Sequence, residues 1–343
     1  MNVVIAILIF ASLIIVHEFG HFVAAKRVGI QVDEFAIGIG PVLFDVQRGE
    51  TTYSWRLFPV LGFVRMAGTD LEDEALPGRG FRDKTVWQRK AVIAAGPAMN
   101  YLMAVLAFTV LFAWVGIPVA DPASTVIGET LPNYPAQQAG LRAGDRIIFV
   151  AGEPVHSWNE MVAAFDQYAG QEINVVVERD GAELSVTLVP TNNPDTGSGG
   201  FIGVRPEITS EKYGFWKGLG LGMGRTLGMT VAWFEGMAMV VTRQLEADLT
   251  GPVGIASMLS RAVTLGPGYL LHLTGALNAV IAIINFLPLP ALDGSRLAFL
   301  ALEAVRGRPV DPQREGIIHF VGLMTLLFLS LIVLYWDILR LGL

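Results

Sequence analysis

Residues 14–29 read IIVHEFGHFVAAKRVG. Asn2 to Val16 contains no charged residue; His17, Glu18 and His21 then interrupt an apolar run that ends at the basic pair Lys26–Arg27. An ionisable group in hydrocarbon is costly and marks a functional site by default. The run from Val3 to Ala25 therefore spans a membrane only if the protein itself satisfies this polar trio. It does not read as a cleaved signal peptide, because its positive charges follow the apolar stretch instead of preceding it.

The rest of the 343-residue chain has the same character: 52% of residues are hydrophobic and 16% charged, against a usual charged share of about 25%. A net charge of -7 argues against a nucleic-acid partner. The absence of cysteine excludes disulfides, thiolate zinc ligands and a cysteine nucleophile. Three further stretches lack Asp, Glu, Lys and Arg and are long enough to span: Ala91–Ala120, Ala262–Leu292 and Gly316–Trp336. The fold class expected is a multi-pass α-helical membrane protein with about four transmembrane helices.

Charge sets the orientation. Residues 26–90 hold 10 Lys and Arg, and residues 293–315 hold four Arg, whereas 121–212 hold 5 basic and 13 acidic residues. The positive-inside rule places 26–90 and 293–315 in the cytosol and 121–212 outside.

Four regions follow. Residues 1–120 form the first half of a membrane core. Within them FAIGIGPVLFDV and TTYSWRLFPVLGFVRM read as membrane-associated β-hairpins, LEDEALPGRG at 71–80 as an exposed loop, and GPAMN at 96–100 as the opening of the second span, with Pro97 in its first turn. Residues 121–206 read as a soluble α+β unit, with a helix near Trp158–Tyr168 and a hairpin turning at Asp180–Gly181; TNNPDTGSGG at 191–200 reads as a flexible loop. Residues 207–262 read as amphipathic helices on the membrane surface, a fifth span over 213–245 being the alternative. Residues 263–343 complete the core.

HEFGH fits H-E-x-x-H. Positions i and i+4 share one helix face, so His17 and His21 can both turn a ring nitrogen to one zinc ion. Glu18, offset by one position, suits a general base acting on zinc-bound water. A chance His/Glu cluster at the end of a core helix is the bland alternative. A catalytic zinc takes three protein ligands plus water. The third is sought where another span breaks, in INFLPLPALDGSRL at 284–297, where Pro288 and Pro290 stop the helix and Asp293 follows. Asp293 is equally a candidate N-cap for a helix over 295–305.

The chain resembles the site-2 protease family of intramembrane zinc metalloproteases, in its bacterial branch of the regulator of sigma-E protease type. The resemblance rests on HEFGH, GFVRM at 62–66, GPAMN, the 121–206 unit, GPVGI at 251–255 and NFLPLPALDG at 285–294, which cover nearly the whole chain. It implies one zinc ion held by His17, His21 and Asp293, and Glu18 as catalytic base. It also implies that 121–206 is a PDZ domain, able to take a peptide as an added strand or to act as a spacer. The family often has two such domains, and this chain has room for one. Expected substrates are single-span membrane proteins, anti-sigma factors and remnant signal peptides, cut in the lipid bilayer near the cytosolic side of a bacterial inner membrane.

Gly62, Phe63 and Val64 read as an apolar edge strand to which an unwound substrate segment can add, or as an internal hairpin strand. Asn285 is a candidate for holding the substrate backbone or the oxyanion; Asn100 and Asn278 read as interhelical glue. His156, His272 and His319 read as ordinary polar residues. A rival of another class is a membrane scaffold with a degenerate protease core whose PDZ domain binds partners. A zinc transporter would need several acidic or His residues lining more than one span, and this sequence concentrates them at one site.

Overall fold

The computed structural model describes residues 2–69, 76–194, 197–245 and 250–341; residues 71–75 of the expected loop lie outside these. It divides into two compact units, one of Met1–Val115 with Tyr213–Leu343, the other Gly116–Lys212.

The first unit opens with helix α1, Asn2–Arg27. Its last turn carries Lys26 and Arg27, where cations suit the carbonyl end of the helix dipole. Gly29 then turns the chain at φ 73°.

Strands β1 (Val32–Arg48) and β2 (Thr51–Met66) pair antiparallel, but both bend. Residues 34–37 therefore have partners on both sides: Arg65 to Gly62 in descending order and Thr52 to Trp55 in ascending order. Residues 42–48 lie outside 51–56. The result is four ribbons side by side with 62–66 at one rim. Glu34, buried in this sheet, accepts hydrogen bonds from Ser54 and from Arg56, the latter at 2.6 Å. Burial pushes its carboxyl up, but Arg56 and Ser54 outweigh this and hold it below the ordinary range.

Helix α2 (Val86–Val110) starts at Thr85, which forms a capping box with Gln88. GPAMN does not open the span: Pro97 lies in the helix interior. Proline is tolerated there because neighbouring helices and local adjustment re-satisfy the backbone of a membrane helix. The helix continues through a widened turn, Leu111–Val115. Trp87 and Trp114 are exposed near its two ends; the rise between them is about 40 Å, close to the roughly 40–45 Å of a bilayer with its headgroups.

The second unit is built on strands β3 (Ile117–Ala120), β4 (Ile127–Thr130), β5 (Arg146–Val150), β6 (Glu153–Pro154), β7 (Ile173–Arg179) and β8 (Ala182–Leu188), with helices α3 (Pro135–Gln138) and α4 (Trp158–Asp166). Its main sheet has the order β6-β5-β7-β8. Asp180 and Gly181 turn β7 into β8 with φ of 52° and 78°, the left-handed pair that a two-residue hairpin needs. Ile127, Ile147, Met161, Phe165, Val175 and Val177 fill the core. The unit is wider than 121–206 because β3 pairs with Ile208–Glu211, joining the entering and leaving chain.

Where surface helices are expected over 213–245, one helix, α5 (Phe215–Val241), runs lengthwise along α2. Gly218 lies against Ala113, Gly222 against Thr109 and Val105, and Thr230 against Tyr101, an antiparallel order. Gly218, Gly222 and Thr226 are buried, and small residues one turn apart let two backbones approach. Lys217, Arg225 and Glu235 interrupt the apolar pattern, which hides this course from a hydropathy reading.

Four helices are then completed by α6 (Pro252–Leu265), α7 (Pro267–Phe286), α8 (Asp293–Arg306) and α9 (Pro312–Leu341). Asp337 of α9 accepts from the N–H groups of Gly251 and Gly254 at 3.1 and 2.8 Å, capping α6 from a distant part of the chain. Arg89 of α2 donates two hydrogen bonds to Glu303 of α8. Among the described residues four helices are long and apolar enough to cross a membrane: Val4–Arg27, Val86–Val115, Pro267–Phe286 and Pro312–Arg340. Phe320, Phe328 and Leu331 of α9 project outward, which suits lipid and not water.

Candidate metal centre

His17 and His21 lie one turn apart on α1, and Asp293 is the first residue of α8. Sequence separation is bridged by packing: α1 meets α2 so closely at Gly20 that a Cβ there would collide with the Ala95 carbonyl. Pro288 and Pro290 end α7 at Phe286, and the chain folds back so tightly that Gly294 sits on the Leu287 carbonyl, where any Cβ would clash. Ala291 takes a φ of 71° within this turn and donates its N–H to His319 Nδ1 at 3.2 Å. Asp293 is not the N-cap of α8; that position belongs to Leu292, and the helix has no side-chain cap. Its carboxylate points to the histidines instead.

Asp293 Oδ2 lies 2.9 Å from His17 Nε2 and 3.2 Å from His21 Nε2, and the two Nε2 atoms are 3.1 Å apart. Ligand atoms around a tetrahedral zinc, with bonds of about 2.0–2.2 Å, stand roughly 3.4 Å from one another. His21 Nδ1 is 2.9 Å from the Val92 carbonyl, which only accepts, so that nitrogen carries the proton. In the neutral ring His21 Nε2 then has its lone pair free for a metal ion. These three residues are the group among the described residues that suits a metal ion, and the donor set fits zinc.

Glu18 adjoins this cluster from the next position on α1. A Cβ built on Gly62 would stand 3.4 Å from Glu18 Cγ and 3.8 Å from Ile14, so the rim strand passes directly over the glutamate. Val64 packs on the same side, against the cluster containing Ala25 and Ile30. Phe63 faces the other way, its ring within 5.1 Å of the Arg56 guanidinium and 5.8 Å of that of Arg65. Gly62 and Val64 are thus beside the histidine helix and Phe63 is not. Asn285 donates to the Ile281 carbonyl within α7, at 3.0 Å. Asn100 is fully buried, with neither side-chain oxygen nor nitrogen hydrogen-bonded.

Two contributors escape sequence reading. Gly96 lies against the His21 ring, where any Cβ would collide with it, and His319 braces the loop that carries Asp293. GPAMN was the visible signal for the first; nothing in the spacing marks the second.

Comparison with known proteins agrees with this geometry. The model for peptidase family M50 matches residues 5–329. Similar curated proteins include the zinc metalloprotease RasP of Geobacillus kaustophilus, 34% identical with 98% of this chain and 97% of that protein covered. The regulator of sigma-W protease RasP of Bacillus subtilis is 33% identical, with 99% of each covered. Among solved structures, the PDZ domain of an SdrC-like protein from Listeria monocytogenes matches 26% of this chain and 93% of its own, at 19% identity and a TM-score of 0.23. The chain belongs to peptidase family M50, the site-2 proteases, a family of zinc metalloproteases.

Proposed function

We propose that the chain cleaves peptide bonds within or beside the transmembrane segments of single-span membrane proteins, with His17, His21 and Asp293 holding one zinc ion and Glu18 as general base. The convergence of those three side chains on one point beside Glu18 carries the reading. Zinc in such a site supplies Lewis acidity and a water acidic enough to deprotonate near neutral pH. Glu18 takes the water proton as the hydroxyl adds to the peptide carbonyl, then delivers it to the departing amine. One C–N bond breaks, one C–O bond forms, and the products are a carboxylic acid and an amine.

A peptide bond inside a helix is shielded by its own hydrogen-bond ladder. The rim formed by Gly62, Phe63 and Val64 offers an extended segment a partner, and Gly62 carries it past Glu18. Asn285, on the helix leading into the Asp293 turn, is proposed to steady the substrate backbone. The charge distribution supports an inner-membrane protein with residues 121–212 outside and the metal centre nearer the cytosolic face. The outer unit acts as a PDZ domain that limits access to substrates already trimmed on their outer side. Anti-sigma factors and remnant signal peptides are the substrate class, in keeping with the name of the Bacillus subtilis relative.

The test is cleavage of a model single-span substrate in reconstituted vesicles. The wild type should cut it within the membrane segment and Glu18→Gln should not, while both retain zinc. Equal cleavage by the two would remove Glu18 from the mechanism.

A further inference from the structure

A cavity of about 510 Å³ opens beside the Asp293 turn, between the start of α2, α8 and the α8–α9 loop. Its walls include Arg82, Arg89, Arg296, Glu303, Glu315 and His319. Three guanidiniums face two carboxylates there. Arg89 is satisfied by two hydrogen bonds to Glu303, and Arg82 donates to the Thr69 carbonyl. Arg296 has no hydrogen bond and no ion pair among the described residues; its charge acts at longer range on Glu315 and on Glu18.

The position of Arg296 is not explained by helix stability. It lies in the first turn of α8, where the helix dipole favours anions and disfavours a cation. It stands three residues after Asp293, hence on a neighbouring part of the same helix face. His319 borders the same space. His319 Nδ1 accepts the Ala291 N–H, so its proton sits on Nε2, which is buried without a hydrogen-bond partner. Glu315 Oε1 stands 3.8 Å from that nitrogen, within ion-pair range.

We propose that this cavity is a carboxylate site that receives the new C-terminus released by peptide cleavage, with Arg296 as its anion-binding group. The proposal rests on the proteolytic reading above. Hydrolysis turns a neutral carbonyl into a carboxylic acid that ionises at neutral pH. The product thereby gains a charge that the substrate lacked, and an unpaired guanidinium one turn from the metal ligand draws the acyl fragment out of the reaction zone. A neutral peptide segment gains nothing from the site.

The test uses the full-length, zinc-loaded Glu18→Gln protein, so that binding is read without turnover. The probes are two short peptides of one apolar sequence, one ending in a free carboxylate and one in an amide. The acid should bind about tenfold more tightly than the amide, the size of one charge-assisted bidentate contact. Arg296→Gln added to that protein should bring the ratio close to one, Arg296→Lys should keep part of it, and zinc content should stay at one per chain. Acetate should compete with the acid peptide and leave the amide unaffected. Equal binding of acid and amide by the Glu18→Gln protein would overturn the proposal, as would an acid preference that survives Arg296→Gln. Because the readout is binding, an acid preference would stand even if the wild type cleaved nothing, which separates this proposal from the proteolytic one.

Discussion

Gly62 of the rim strand passes over Glu18 of the first helix: a Cβ on Gly62 would stand 3.4 Å from Glu18 Cγ and 3.0 Å from the Ala36 carbonyl. The strand can pass this close because it lacks a side chain at that point. Gly62→Ala puts a methyl 3.0 Å from the Ala36 carbonyl and only in ordinary contact with Glu18, so it should lower cleavage by a few-fold, whereas Gly62→Val, whose extra methyls must displace the strand or Glu18, should lower it by about tenfold or more, since displacements near 1 Å at a reacting centre cost up to ~100-fold. Single-turnover cleavage with zinc content as a control measures this; a Gly62→Val protein that cuts at the wild-type rate would show that the contact is irrelevant.

The rim also yields a backbone prediction. Val64→Pro removes an N–H and fixes φ, so it should stop cleavage while leaving zinc bound. Undiminished cleavage by this variant would argue against strand addition.

Gly96 and His21 form the second close approach. Gly96→Ala sets a methyl group against the imidazole, so the ring must rotate away from Asp293 or α2 must move. Zinc affinity should fall by roughly 10–100-fold, the usual cost of disturbing the support of a metal ligand. Competition with a chelator measures it, and unchanged affinity would place His21 outside the metal shell.

In the second unit Arg179 Nε and Nη2 donate to Asp145 at 2.6 and 2.7 Å, and the Arg142 N–H adds a third bond. Burial pushes the Asp145 carboxyl up, but these donors outweigh it and hold it below the ordinary carboxylate range. A lowered folded-state pKa contributes stability that is present above about pH 4, the unfolded value, and is lost as pH falls further. Arg179→Gln should speed amide exchange at Val175 and Val177 at neutral pH, and the difference from wild type should shrink below pH ~4. A difference that persists undiminished in acid would assign the effect to packing.

The chemistry was more legible than the architecture. HEFGH offers a metal pair through its spacing, with a chance cluster as the alternative, and the LDG after Pro288 and Pro290 offers Asp293 as a third ligand or an N-cap, because both signals are local. The Asp180–Gly181 hairpin is equally local. What escaped depends on distant partners. The doubled pairing of residues 34–37 needs both bent strands in place. The course of α5 depends on glycines meeting Ala113 and Thr109 of α2. His319 matters only because the turn at Ala291 reaches it. Pro97 misled for a physical reason: in water a proline marks a helix start, whereas packed membrane helices carry it inside.

The absence of cysteine makes orientation directly testable. Single cysteines at Ser185 and Arg308 should react with an impermeant reagent from opposite sides of the membrane, Ser185→Cys from outside and Arg308→Cys only after the cells are opened. Labelling of both from outside would overturn the assigned topology.

The most direct test of the central claim is zinc stoichiometry across single substitutions in the purified chain. Wild type and Glu18→Gln should each hold one zinc, while His17→Ala, His21→Ala and Asp293→Ala should each lose it under a chelator concentration that the wild type withstands. Full zinc retention by Asp293→Ala would contradict the metal centre joining the first helix to the turn after α7.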